Sequence, residues 1–163
     1  MRGGMVLGII LSTAAPAHVS NTFHLMVAAP LHRTAQLFGP EGERCWAGEH
    51  WNPEFVSPQP ARDVQGAVFT IQHGAHTEVW VTTVFDPAAG RMQYVAFIPG
   101  KLVSIVDVRL TAVDPLQTSV EVKYERTALD VALNEEVEAM GTKDRESGPE
   151  WQQAIVKCLR ETK

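Results

Sequence analysis

The chain has 163 residues, of which 45% are apolar, and a formal net charge of −5. Those values predict one domain with a core of ordinary size. The negative balance excludes the basic face a nucleic-acid binder needs and docking on anionic lipid by charge alone. No apolar run reaches the length of about 18 residues that an integral membrane span requires.

The first residues read differently from the rest. Arg2 supplies one positive charge, Met5, Val6, Leu7, Ile9, Ile10 and Leu11 form a short apolar run, and Ala15-Pro16-Ala17 places small residues where a signal peptidase inspects the chain. Residues 1–17 are either a signal peptide or a disordered extension, and the folded domain is expected over 18–163. The first reading makes the protein exported or periplasmic, the second cytoplasmic. Two cysteines do not make a disulfide framework. In an exported chain Cys45 and Cys158 could pair; in a cytosolic one they are small apolar residues.

Phe23 to Val27 reads as a first strand, ended by Pro30. Leu31, Ala35 and Phe38 recur at helical spacing until Pro40 and Gly42 break the pattern, and Glu41 to Gly48 holds one further helical turn. After Asn52-Pro53, strands follow over Ala67–Gln72, Glu78–Phe85, Met92–Ile98, Leu102–Val113 and Ser119–Thr127. Turn clusters separate them: His73-Gly74-Ala75-His76, Asp86 to Gly90, Pro99-Gly100 and Asp114-Pro115. Val120, Val122 and Tyr124 alternate with Glu121, Lys123 and Glu125, which predicts a strand with one wet face. The tail is helical. Leu129, Leu133, Val137 and Met140 form one stripe and Trp151, Ala154, Ile155, Cys158 and Leu159 continue it. Gly148-Pro149 predicts a kink or break, with Ser147 and Glu150 as a capping box that restarts the helix.

The predicted fold is α+β: a curved antiparallel sheet of about seven strands, two short helices after strand one, and a long C-terminal helix. This is the helix-grip layout. The segment Leu37-Phe38-Gly39-Pro40-Glu41-Gly42-Glu43-Arg44-Cys45-Trp46, continuing to Trp51-Asn52-Pro53-Glu54, resembles one found in bacterial proteins of the START-like (SRPBCC) superfamily. Tyr124-Glu125-Arg126-Thr127-Ala128-Leu129 resembles that group's junction between last strand and last helix, and Trp151 to Leu159 its helix end. The superfamily groups polyketide cyclases, dehydrases and lipid-transfer proteins, with the birch-pollen allergen as a structural relative. The resemblance implies a fold and a pocket more than an activity, and no cofactor.

A curved sheet cannot touch a straight helix along its whole length, so a gap is expected between them. Its predicted lining is Trp46, Trp51, Phe69, Trp80, Tyr94, Tyr124, Val137 and Met140, with Val108 and Leu133 beside them. Trp46 and Trp51 also read as anchors of the short helical segment, and Glu43 and Arg44 as a cap and a surface ion pair. Glu78 and Trp80 share strand parity and should point the same way. Glu78 beside Tyr94 is the one acid/base pairing the sequence suggests. His73, His76 and Glu78 carry metal-donor atoms, but a hairpin position favours a solvated loop, and no metal is expected. Three functions remain: a carrier or sensor of a small hydrophobic or lipid-like molecule, a cyclase- or dehydrase-like enzyme on an aromatic or polyketide-type substrate, and a scaffold with a closed core.

Overall fold

Strands with one apolar face pair with their chain neighbours to bury that face, and here they do so without a crossover among consecutive members. The computed structural model describes residues 14–162. In chain order they form β1 (His18–Val27), α1 (Leu31–Ala35), a 3-10 turn (Gly42–Cys45), β2 (Glu54–Ser57), β3 (Val68–His73), β4 (His76–Asp86), β5 (Arg91–Ile98), β6 (Leu102–Asp114), β7 (Gln117–Ala128), a second 3-10 turn (Val131–Leu133), α2 (Asn134–Glu146) and α3 (Gly148–Glu161). The seven strands make one antiparallel sheet in the order β1-β7-β6-β5-β4-β3-β2. Only β1 leaves sequence order, pairing with β7 from His18↔Thr127 to Val27↔Thr118.

Alternation decides which face is buried. On β1 Phe23, Leu25 and Val27 are buried while Thr22, His24 and Met26 are exposed. On β6 the buried set is Leu102, Ser104, Val106, Val108 and Leu110. Register shifts at Thr82/Val84 and Ala112/Asp114 bend β4 and β6 and add to the curvature of the sheet.

Two boundaries differ from the sequence expectation. β2 is a strand that the sequence does not predict. It is a four-residue edge strand carrying a bulge between Phe55 and Ser57, and it buries no residue fully, so it has no alternation to detect. The C-terminal helix begins at Asn134, not Leu129. Leu129 is exposed, and Asp130 accepts the Ala132 N–H to start the 3-10 turn that precedes α2.

The expected break at Gly148-Pro149 is present. Pro149 sits in the first turn of α3, where its missing N–H is no loss. The capping box does not form. Ser147 keeps a helical backbone, and its hydroxyl donates back to the Lys143 carbonyl rather than forward into α3. The two helices lie against β1 at close range. A Cβ on Gly148 would stand 2.8 Å from the His24 carbonyl oxygen, and one on Gly141 would stand 2.8 Å from Asn21 Nδ2. Small residues at these two positions let α2 and α3 settle over the β1–β7 side of the sheet. The inner faces of β3 to β6 are left partly uncovered, and that is where the core stays open.

Residues 1–13, which carry most of the predicted leader, lie outside the described residues. The last part of that segment joins the domain: the Ala17 carbonyl accepts the Ala128 N–H at 2.9 Å, and Asn134 bonds both Ala17 N–H and Ala15 O. Among the described residues no helix is long and apolar enough to cross a membrane.

Candidate functional site

The segment between α1 and β2 builds one wall, and its carbonyls are held by side chains that come back to it. Trp46 Nε1 donates to the Leu37 carbonyl at 2.6 Å and Trp51 Nε1 to the Pro40 carbonyl at 2.9 Å. The Tyr94 hydroxyl, from β5, donates to the Phe38 carbonyl between them. Asp63 accepts the N–H groups of Glu41 and Gly42 at 2.8 and 3.2 Å. Its carboxylate occupies the space a Cβ on Gly39 would need. Gly42 is tighter still, because a Cβ there would stand 1.9 Å from the Gln36 carbonyl oxygen. Backbone cannot yield as a side-chain tip can. Gly42→Ala is expected to cost about 2–3 kcal/mol by overpacking. A thermal melt in which that variant matches the parent would refute the account.

A disulfide joins this wall to the helix. Cys45, at the end of the 3-10 turn, is bonded to the buried Cys158 of α3, with Cα atoms 5.6 Å apart. The alternative left open by the sequence is thereby resolved in favour of pairing. The bridge sits beside the Trp46–Trp151 contact, whose ring centroids are 4.9 Å apart.

Between this wall, the sheet and the two helices lies an open cavity of about 570 Å³. The core is therefore not closed. The size falls within the range of small-molecule sites. All four tryptophans of the chain line it, namely Trp46, Trp51, Trp80 and Trp151. Tyr94, Tyr124, Val106, Val108 and Met140 add to the lining. Three expected wall residues, Phe69, Val137 and Leu133, stand elsewhere. Phe69 is fully buried between Phe55 and Trp80, with stacked centroids 5.5 and 5.8 Å away. Val137 packs on Leu102 and Ala128 in a separate small cluster, with Leu133 beside it. The helical stripe is divided, so that Met140 and Asp144 reach the cavity while Val137 turns toward the β6–β7 ends.

The polar groups differ from expectation in an informative way. Glu78 and Trp80 do point the same way, and Glu78 Oε2 accepts from Trp80 Nε1 at 2.9 Å. The same oxygen lies 3.2 Å from His73 Nε2. With the Tyr94 hydroxyl given to Phe38, Glu78 and Tyr94 share no hydrogen bond among the described residues. His76 contacts Lys101 Nζ at 2.7 Å, and among the described residues no group of three or more donors is placed to hold a metal.

Arg126 and Asp144 were missed. Arg126 Nε and Nη2 meet the two Asp144 oxygens at 2.7 and 2.8 Å, and Nη1 meets Ser104 Oγ at 3.1 Å. The guanidinium lies 4.5 Å from the centroid of the Tyr124 ring. The signal was present in the sequence. Arg126 follows Val120, Val122 and Tyr124 at the same parity, so a cation was due on the apolar face.

Glu43 was misassigned as part of a surface pair. Arg44 makes that pair with Glu41, at 2.8 Å, while Glu43 lines the cavity. Burial, and then the negative charge of Asp63, holds its carboxyl well above the usual glutamate range. Burial likewise raises the Tyr124 phenol, against the pull of Arg126 and with a contribution from Glu43. Tyr94 is raised by burial, then by Glu43 and Asp63. Neither the Glu43 carboxyl nor the Tyr124 hydroxyl has a hydrogen-bond partner among the described residues.

No protein-family model matches the chain, and no curated protein matches it. Solved structures do. Norcoclaurine synthase from Thalictrum flavum, in complex with dopamine and hydroxybenzaldehyde, is 13% identical with a TM-score of 0.66, covering 100% of this chain and 99% of that one. An uncharacterised protein from Rhizobium leguminosarum is 14% identical with a TM-score of 0.62, covering 88% of this chain and 97% of that one. DynU16, from the dynemicin biosynthetic locus, is 14% identical with a TM-score of 0.58, and the match covers 88% of this chain but 48% of that one. At such identities the likeness carries the architecture and nothing finer: this chain has the helix-grip α+β fold, with its curved seven-stranded sheet and C-terminal helix, that these structures share.

Proposed function

We propose that the protein is a START-like carrier or sensor that holds a small hydrophobic molecule in the cavity. The observation that carries this reading is the open volume of about 570 Å³ walled by all four tryptophans. An apolar guest there gains roughly 0.8 kcal/mol per buried methylene. The motif resemblance around Leu37–Glu54 supports the family assignment. The Cys45–Cys158 bond and the leader-like residues 1–17 together support export to an oxidising compartment.

The tryptophans make the reading testable without a known guest. Native mass spectrometry of freshly purified protein is expected to show a retained small molecule. Solvent-extracted protein titrated with an apolar naphthalene probe is expected to lose tryptophan emission saturably, at about one equivalent per chain. No retained mass together with no quenching would overturn the proposal.

A second reading, an enzyme acting on an aromatic or polyketide-type substrate, is favoured by Glu43 and Tyr124. A carboxyl held above its usual range and an unpartnered phenol facing one cavity are suited to proton transfer. Under that reading Glu43→Gln abolishes turnover while guest binding persists.

A further inference from the structure

The cavity has a charge preference as well as an apolar one. Carboxyls line it at Glu43, Glu78 and Asp144, with those of Glu136 and Glu150 exposed at its margin, and its one guanidinium is that of Arg126. Arg126 is already satisfied by Asp144 and Ser104, and its face is spent on the Tyr124 ring. Glu78 is held by Trp80 and His73. Lys143 also lines the space but is exposed at its margin. An arriving anion would therefore find no free interior cation. An arriving cation would find the Glu43 carboxyl without a partner, in a space walled by indole and phenol rings. Ring faces attract cations through their quadrupoles, most strongly where water is excluded.

The geometry points to a ligand that is a monoamine on an aromatic or apolar body, its nitrogen paired with Glu43 and its body against the tryptophans. The inference rests on the cavity-binding proposal and adds the ligand's charge to it. Either a free base takes a proton from the Glu43 carboxyl or an ammonium pairs with its carboxylate. Both routes leave the same ammonium–carboxylate pair. Such a charge-assisted bond is about twice as strong as a neutral one, and the surplus corresponds to roughly tenfold in affinity.

The test uses three probes of one shape, 2-naphthylmethylamine, 2-naphthylmethanol and 2-naphthoate, titrated calorimetrically into the full chain. The amine is expected to bind about tenfold tighter than the alcohol, and the carboxylate weakest. In Glu43→Gln the amine is expected to bind no more tightly than the alcohol. Alcohol or naphthoate binding as tightly as the amine to the parent protein would overturn the inference and leave the cavity proposal standing. So would a Glu43→Gln variant that keeps the amine preference. Failure of all three probes to bind would overturn both.

Discussion

Replacing Cys45 and Cys158 with alanine together is expected to lower stability by about 3–5 kcal/mol. The bridge closes a loop across a sequence separation of 113 residues, which spans nearly every strand of the sheet. In the chain-entropy account a loop of that length constrains the unfolded ensemble strongly. The folded state loses less, because Cys158 is already buried and alanine leaves only a small void. The effect should be local as well as global. The bond joins the 3-10 turn bearing Trp46 to the helix bearing Trp151 and Ala154, so it holds two walls of the cavity at a fixed separation. Denaturant unfolding of the double variant, with parent protein in excess reductant as a second route to the same state, gives the measurement. A midpoint shift worth under about 1 kcal/mol by both routes would show that the bridge adds little to a fold that is stable without it.

The same bond shows where reading the sequence stops. The sheet was legible because Val120, Val122 and Tyr124 alternate with charges, and because Gly and Pro mark each turn. The break before Pro149 was legible because proline has a fixed local consequence. Pairing of Cys45 with Cys158 was not, because it depends on where the 3-10 turn lands against α3, a contact no local pattern encodes. β2 was missed because an edge strand with no buried residue has no period. Of the expected cavity wall, Trp46, Trp51, Trp80, Tyr94, Tyr124 and Met140 lie on it, whereas Phe69 and Val137 stand behind it. Parity places a side chain on the inner face, but it cannot separate a residue packed under its neighbours from one that faces open space. Glu43 was misassigned for a related reason. In a short 3-10 turn neighbouring side chains diverge, and which of Glu41, Glu43 and Arg44 turns inward is decided by the three carbonyl anchors at Leu37, Phe38 and Pro40.

Asp144→Asn is expected to destabilise the protein by about 3 kcal/mol, at the lower end for breaking a buried ion pair because the pair borders an open cavity. The Asp144 side chain is 8% exposed and that of Arg126 16%, so the guanidinium left behind would keep its charge with little water to solvate it. The loss should reach α2 as a whole. Asp144 pins the last turns of that helix to β7, and Arg145 next to it holds Asn21 of β1 at 2.9 Å. The decisive comparison is the double variant Arg126→Met with Asp144→Leu. If the pair is a specificity device rather than a source of stability, replacing both partners by apolar groups of similar volume returns stability to within about 1 kcal/mol of the parent. The cycle of urea midpoints over the two single variants and the double separates these terms. Single variants that each lose under about 1 kcal/mol would mean that cavity water already solvates the pair. Its role would then reduce to the packing of the Arg126 guanidinium over Tyr124.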